Sequence, residues 1–263
     1  MYAVEYQRAK SVADAAAALA KSGGKALAGG QSLVGAMKLR LANPGTLVDL
    51  SGIAELKGIR KDGDAIVIGA LTTHAEVASS SVVKQAIPAL AALAEGIGDR
   101  QVRNRGTIGG SIANSDPAAD YPAAVLGLNA TVQTNKRKIA ADDFFKGLYE
   151  TALAPDEIIM AVSFPIPKKA AYVKFPQPAS RFALVGVFVS QTGSGVRVAV
   201  TGAGSHAHRA KPIEDALARS LTADAAKNVK IPAANLNNDL HGSAEYRAHL
   251  VSVLAGRAVA AMS

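Results

Sequence analysis

Cysteine is absent from the 263 residues of this chain. That excludes disulfides, thiolate zinc sites, Cys-ligated iron-sulfur clusters and cysteine nucleophiles in this polypeptide, so any such centre must sit on a partner. Aromatic residues are scarce, at 5%, and the basic residues are scattered apart from the 100–105 loop, Lys136-Arg137-Lys138 and Lys168-Lys169. The interleaved basic and aromatic surface on which bases stack is therefore missing, which argues against nucleic acid as a partner. Long apolar runs are missing too. The longest, near residues 87–94 and 183–189, fall far short of the roughly 20 residues that span a bilayer, so no membrane span is expected. Residues 1–8 hold no basic segment followed by an apolar one, so no secretory signal is visible and a cytoplasmic location is expected.

Apolar content is what the chain does have. It stands at 49% against 19% charged, well above the hydrophobicity at which disorder is expected. The length suits one large folded unit or two smaller ones. A formal charge of +8 reports a long-range field and not a fold. Most of it reads as solvated surface, with part available to an acidic subunit.

Short β-type runs alternate with Ala-rich helical ones, the pattern of an α/β or α+β protein. Ser11 is placed to cap a first helix with Asp14 in its first turn; Val12, Ala15, Ala16 and Leu19 follow at helical spacing, and Gly23-Gly24 end it. A strand over 25–28 runs into Gly29-Gly30-Gln31-Ser32, with a helix over 33–41 and a buried strand over 47–50 beyond. A strand over 65–70, a helix capped by Thr72 or Thr73, and an apolar helix over 87–95 ended by Gly96 come next. Residues 97–120 are rich in Gly, Asn and Asp with neither helical nor strand period, and are expected to form a long ordered loop, a kind that is usually functional. Strands over 130–134 and 157–164 lead to Pro165 and Pro167, a natural boundary because proline supplies no ladder donor and restricts its predecessor. Strands near 172–175, 183–190 and 196–201 and helices near 212–219 and 245–261 complete the chain.

Two glycine loops carry the chemistry. One is Ala28-Gly29-Gly30-Gln31-Ser32-Leu33 and the other Thr107-Ile108-Gly109-Gly110-Ser111-Ile112. Glycine lets backbone N–H groups approach a phosphate with no Cβ in the way, and successive amides form an anion-binding concavity, to which Ser32, Thr107 and Ser111 add hydroxyls. Either loop taken alone reads first as a tight turn. Neither has Walker spacing or the three-glycine Rossmann fingerprint, so standard nucleotide folds are disfavoured. Neither serine sits in a nucleophile elbow with an evident base. His206 and His208 have no carboxylate companion motif that would make them metal ligands.

Four stretches together resemble the medium, FAD-binding subunit of the xanthine dehydrogenase and carbon monoxide dehydrogenase family of molybdenum hydroxylases: 28–41 (AGGQSLVGAMKLRL), 47–56 (LVDLSGIAEL), 101–120 (QVRNRGTIGGSIANSDPAAD) and 241–250 (HGSAEYRAHL). Their order and separation agree, and the resemblance covers essentially the whole chain. It implies an α+β protein: a two-subdomain FAD-binding fold of the vanillyl-alcohol-oxidase type over residues 1–165, divided near 1–57 and 58–165, then a smaller α+β domain over 166–263 with an antiparallel sheet and helices.

The same resemblance implies the site. Ala28, Gly29, Gly30, Gln31, Ser32 and Leu33, with Thr107, Ile108, Gly109, Gly110 and Ser111, would wrap the FAD pyrophosphate, mostly through backbone donors. Asp116 and Asp120 lie where the family sets a carboxylate on the adenosine ribose, Asp120 being preferred; without the family they read as a turn carboxylate before Pro117 and a helix cap. Ile97 and Ile159 align with apolar positions beside the isoalloxazine, though either also reads as plain core. Lys174 matches a basic residue near the flavin pyrimidine ring, able to stabilise charge on the reduced form, and otherwise reads as a solvated strand lysine. Arg103 and Arg105 flank the second loop, where they could add positive charge near the diphosphate, with solvent-facing loop arginines as the simpler default.

The function implied is that of an oxidoreductase subunit in electron transfer. A molybdenum-cofactor large subunit oxidises the substrate, a 2Fe-2S small subunit relays electrons, and this chain's FAD passes them to an external acceptor, in a dimer of heterotrimers by family analogy. No catalytic side chain and no metal ligand is expected here. A self-contained FAD-dependent oxidoreductase and a non-catalytic nucleotide-binding module are the alternatives; copurification with two other subunits would separate the first from the subunit reading, and salt-dependent nucleic-acid binding without flavin would support the second.

Overall fold

The first helix, Val12–Ser22, forms where its caps are. In the computed structural model, which describes residues 1–262, Ser11 Oγ accepts from the Asp14 amide (3.1 Å), and Gly23 turns left-handed at φ 62 to close the last turn on Leu19. The buried face, Val12, Ala15, Ala18 and Leu19, lies on a three-stranded parallel sheet ordered Glu5–Arg8, Thr46–Asp49, Lys25–Leu27. Val48, Leu50, Ile53 and Leu56 complete this small core. Parallel neighbours need crossovers, here carried by Val12–Ser22 and the short helix Leu33–Lys38. That second helix stops before the expected residue 41, because Arg40 turns left-handed at φ 60.

A five-stranded antiparallel sheet follows, ordered Ile59–Asp62, Ala65–Gly69, Ile159–Pro165, Thr131–Thr134, Lys138–Ala140. Its apolar residues join those of Pro88–Glu95, Ile108–Asn114 and Tyr121–Gly127 in the largest core. Residues 97–120, expected to be a loop, hold two helices instead. Asp99 Oδ1 accepts from the Val102 amide (2.7 Å) to start Arg100–Arg105, and Thr107 Oγ1 accepts from the Gly110 amide (3.1 Å) to start Ile108–Asn114. Capping overrides the poor helix propensity of Gly109 and Gly110.

The C-terminal part is an antiparallel sheet ordered Lys169–Pro176, Ala183–Thr192, Gly195–Thr201, His208–Arg209. Helices Lys211–Arg219 and Ala244–Ala261 cover one face. On the other, Phe188 and Ala199 enter the large core under Tyr121–Gly127. The approach is close: a Cβ on Gly127 would stand 2.7 Å from the Phe188 ring. Ser190 Oγ donates to the Gly127 carbonyl (2.6 Å) and Arg197 Nε to that of Leu126 (2.8 Å). The fold is α+β, as expected. No helix among the described residues is long and apolar enough to cross a membrane.

Candidate cofactor site

The two glycine loops, about 80 residues apart in sequence, touch. A Cβ on Gly29 would press into the Arg105 carbonyl and stand 2.9 Å from Gly106 Cα, and one on Gly110 would stand 3.6 Å from the Ala28 methyl. Gly30 takes φ 75 to turn the chain out of its strand. The contact is held from behind. Thr73 and Thr107 form an antiparallel bridge, the His74 amide donates to the Gly106 carbonyl (3.0 Å), and the His74 ring fills the space a Gly106 side chain would need.

The loops divide the polar work. Among the described residues none accepts from the amides of Gly29, Gly30, Gln31, Ser32 or Leu33, so this stretch presents a run of free donors. The second loop differs from expectation. Ile108 donates to the Thr72 carbonyl (3.1 Å), Gly109 to Ala70 (2.9 Å) and Ser111 to Thr107 (3.0 Å), while Gly110 donates to Thr107 Oγ1. The Ile108 and Gly109 amides seat the helix on residues 70–72, those of Gly110 and Ser111 close its first turn on Thr107, and of this loop only the Thr107 amide is left free. The Gly109 and Gly110 positions contribute a surface without side chains. The hydroxyls of Ser32 and Ser111 have no partner among the described residues, so they remain available.

Two buried polar atoms lie unpartnered behind the second loop: His74 Nδ1 and the Tyr121 hydroxyl, on rings 5.3 Å apart. Burial, with Arg103 nearby, pushes the His74 imidazole down to about 4, so it is neutral at physiological pH. Neither residue was singled out from the sequence in this role.

Asp116 and Asp120 separate. Asp116 Oδ1 accepts from the Ala118 amide (2.9 Å), the turn role open to any carboxylate before Pro117. Asp120 precedes the helix Tyr121–Gly127 yet makes no capping bond. It is 5% exposed; Oδ1 accepts from the Tyr172 hydroxyl (2.6 Å) and pairs with Lys174 Nζ (3.0 Å). Burial pushes the Asp120 carboxyl up, against the pull of Lys174 and Tyr172. Lys174 is no solvated strand lysine: its ammonium also donates to the Gly96 carbonyl (2.9 Å). Tyr172 was missed, although residues 172 and 174 of one strand share a face.

Ile97 is half-buried against the large core, and its carbonyl accepts from Arg103 Nη1 (2.9 Å), so Arg103 staples this corner to the helix before the second loop. Ile159 lies 5% exposed within the core. Its side chain is committed to packing, and along the sheet it pairs with Thr134. His208 Nδ1 lies 3.2 Å from the His206 carbonyl oxygen, and no group of metal-ligating side chains occurs among the described residues.

A seam with free amides on one side, side-chain-free glycine on the other and an ion pair beyond fits a dinucleotide cofactor. Comparison with known proteins agrees. Residues 2–167 match the family of the FAD binding domain in molybdopterin dehydrogenase. The nicotine 6-hydroxylase medium subunit of Paenarthrobacter nicotinovorans is 37% identical, over 98% of this chain and 96% of its own. The carbon monoxide dehydrogenase medium chain of Hydrogenophaga pseudoflava is also 37% identical, over 97% and 95%. A solved structure of that carbon monoxide dehydrogenase, lacking the Mo-pyranopterin moiety, superposes with a TM-score of 0.90 at 36% identity, over 99% of this chain and 97% of its counterpart. Quinoline 2-oxidoreductase from Pseudomonas putida 86 superposes with a TM-score of 0.89 at 29% identity. The chain therefore belongs to the xanthine dehydrogenase and carbon monoxide dehydrogenase family of molybdenum hydroxylases, among their FAD-binding medium subunits.

Proposed function

We propose that this chain is the electron-exit subunit of its complex, taking electrons from the iron-sulfur clusters of a small partner and delivering them to an external acceptor while a molybdenum-cofactor large subunit handles the organic substrate. FAD, when bound, supplies the capacity to take up electrons singly and release them in pairs. Everything else falls to the protein: binding, orientation and charge.

The observation that carries this reading is the seam itself, where the stretch 29–33, its amides unpaired among the described residues, packs against the second loop. In it, Ala28 through Leu33 bind the pyrophosphate through backbone donors and Ser32. Thr107, Gly110 and Ser111 close the other side with hydroxyls and bare backbone, while Ile108 and Gly109 anchor that loop to the sheet. Asp120, Lys174 and Ile97 form a second contact region, and Ile159 packs in the core. Residues 1–165 supply most of the cofactor contacts, and 166–263 add Lys174 and brace the rest through Ser190 and Arg197. The absence of cysteine agrees with clusters carried by a partner. The subunit names of its relatives support a heterotrimer, which we extend to a dimer of heterotrimers.

The test is the visible absorption spectrum of gently purified protein, with heat-released cofactor identified chromatographically and FAD added back to any colourless preparation. Stoichiometric FAD, lost when bulk is added at Gly30 or Gly110, is expected, together with copurification of two further subunits. A chain that neither carries nor binds FAD, even with its partners present, refutes the proposal.

A further inference from the structure

We propose that Tyr172, delivered by the C-terminal sheet, is a positioning residue for the flavin end of the cofactor, holding Asp120 so that its free oxygen and one free N–H of Lys174 stand side by side toward the ligand. This deepens the FAD reading and rests on it.

The hydrogen-bond inventory of the cluster is unequal. Both recorded partners of Asp120, the Tyr172 hydroxyl and Lys174, use Oδ1, and Oδ2 has no side-chain partner among the described residues. The Lys174 ammonium has three N–H groups; one goes to the Gly96 carbonyl and one to Asp120, so one is uncommitted. The cluster thus presents one acceptor beside one donor. Its complement is a pair of neighbouring oxygens, one of which donates. In FAD that combination occurs both where the ribityl chain meets the pyrimidine ring and at the adenosine ribose diol; the Lys174 bond to the Gly96 carbonyl sets the pair beside Ile97, whose position matches the isoalloxazine face, and so selects the first. A pair 3.0 Å apart serves one end of an extended cofactor, so Asp120 acts at the flavin and not at the adenosine ribose where its sequence position suggested.

Tyr172 is what makes this arrangement single-valued. Its ring stacks on Phe188 (centroids 6.2 Å apart, planes at 29°), and its hydroxyl occupies space that a side chain at Gly186 would take. Gly186 pairs with Lys174 across the two strands, so the sheet register itself clears a path for the hydroxyl. With that donor in place the carboxylate shares its charge between two partners, and Lys174 is not drawn wholly onto Asp120.

The experiment uses the full-length chain, stripped of flavin and titrated with FAD, with the midpoint potential of the bound flavin measured by redox-dye equilibration. Tyr172→Phe keeps the ring packing and removes only the hydroxyl. It is expected to weaken FAD binding about tenfold, the scale of one hydrogen bond to a charged group, and to make the potential more negative, because Asp120 then leans on Lys174 alone. Asp120→Asn should shift the potential the opposite way, since Lys174 is left unneutralised beside the flavin. Thr201→Val is the structural control. It removes bonds to the Pro117 and Ala119 carbonyls without touching the pair, so it should lower thermal stability and leave the potential alone. An unchanged potential in Tyr172→Phe, shifts of the same sign in both variants, or an equal shift in Thr201→Val overturns the proposal. Should Tyr172→Phe fail to fold, Gly186→Ala displaces the same hydroxyl and carries the same expected sign. Wild-type protein that binds no FAD refutes instead the cofactor reading beneath it.

Discussion

Substituting Gly29 by alanine tests the contact between the glycine loops at its tightest point. The new Cβ would stand 2.7 Å from the Arg105 carbonyl carbon and 2.9 Å from Gly106 Cα, where ordinary carbon contact begins near ~3.5 Å. The Arg105 carbonyl oxygen is closer still and all three neighbours are backbone, so the loops must part by more than ~1 Å. Overpacking of this kind costs about 1–3 kcal/mol. Borne by the bound state, that weakens FAD about fivefold to about 150-fold; borne by the fold, it lowers the thermal midpoint by about 2–4 °C per kcal/mol at this chain length. Fluorescence titration with FAD and a thermal melt, run together, capture both. Gly35→Ala, in the helix just beyond the same loop and with nothing within 4 Å, is the matched control and should gain about 0.5–1 kcal/mol. If Gly29→Ala binds FAD and melts like wild type, the loops do not meet as described.

Thr107→Ala removes the cap on the Gly110 amide and should cost about 0.5–2 kcal/mol in urea unfolding, with weaker FAD binding. Glu157 is held down to about 2 by Arg137, aided by Thr134 and the Ala154 amide. Its folded value lies below the ordinary 4.5, so its stabilisation is complete above that pH and disappears as pH falls toward about 2; Glu157→Gln should flatten the stability profile over that window. His74, held down to about 4 from 6.5, likewise stabilises the neutral-pH fold and loses that contribution between those values, because the unfolded chain takes up the proton first. His74→Leu should reduce the acid slope there, seen in unfolding free energies from pH 7 to 4, and an unchanged slope would show that the imidazole is not enclosed. Gly127→Ala, driven into the Phe188 ring, should lower the midpoint of the whole chain and not of one part, because that contact joins the C-terminal sheet to the large core.

Much of this was legible in the residues. Ser11, Thr73 and Gly23 announce helix ends through local hydrogen bonds and one left-handed turn, and such signals need no distant partner. The glycine loops and the Asp120 segment were recognisable by composition and order. Residues 97–120 were misread because two adjacent glycines lower helix propensity, although Asp99 and Thr107 already stood three residues before the amides they cap. Tyr172 had a signal in its spacing from Lys174, but a period of two in a strand names a face and not what lies opposite it.

By itself, then, the chain's order of residues determined its family, its cofactor class, the positions of most strands and helices, and the requirement for glycine at two places. Those follow from local backbone freedom, capping and periodicity. Only the tertiary structure decided that the first loop keeps its amides free while the second spends its own on Ala70, Thr72 and Thr107, that Asp116 closes a turn while Asp120 joins a buried ion pair, and that Ile159 packs inward. Each depends on which groups from distant parts of the chain arrive within hydrogen-bonding or packing distance, and a polar group's role is set by the partners left to it once the fold has closed.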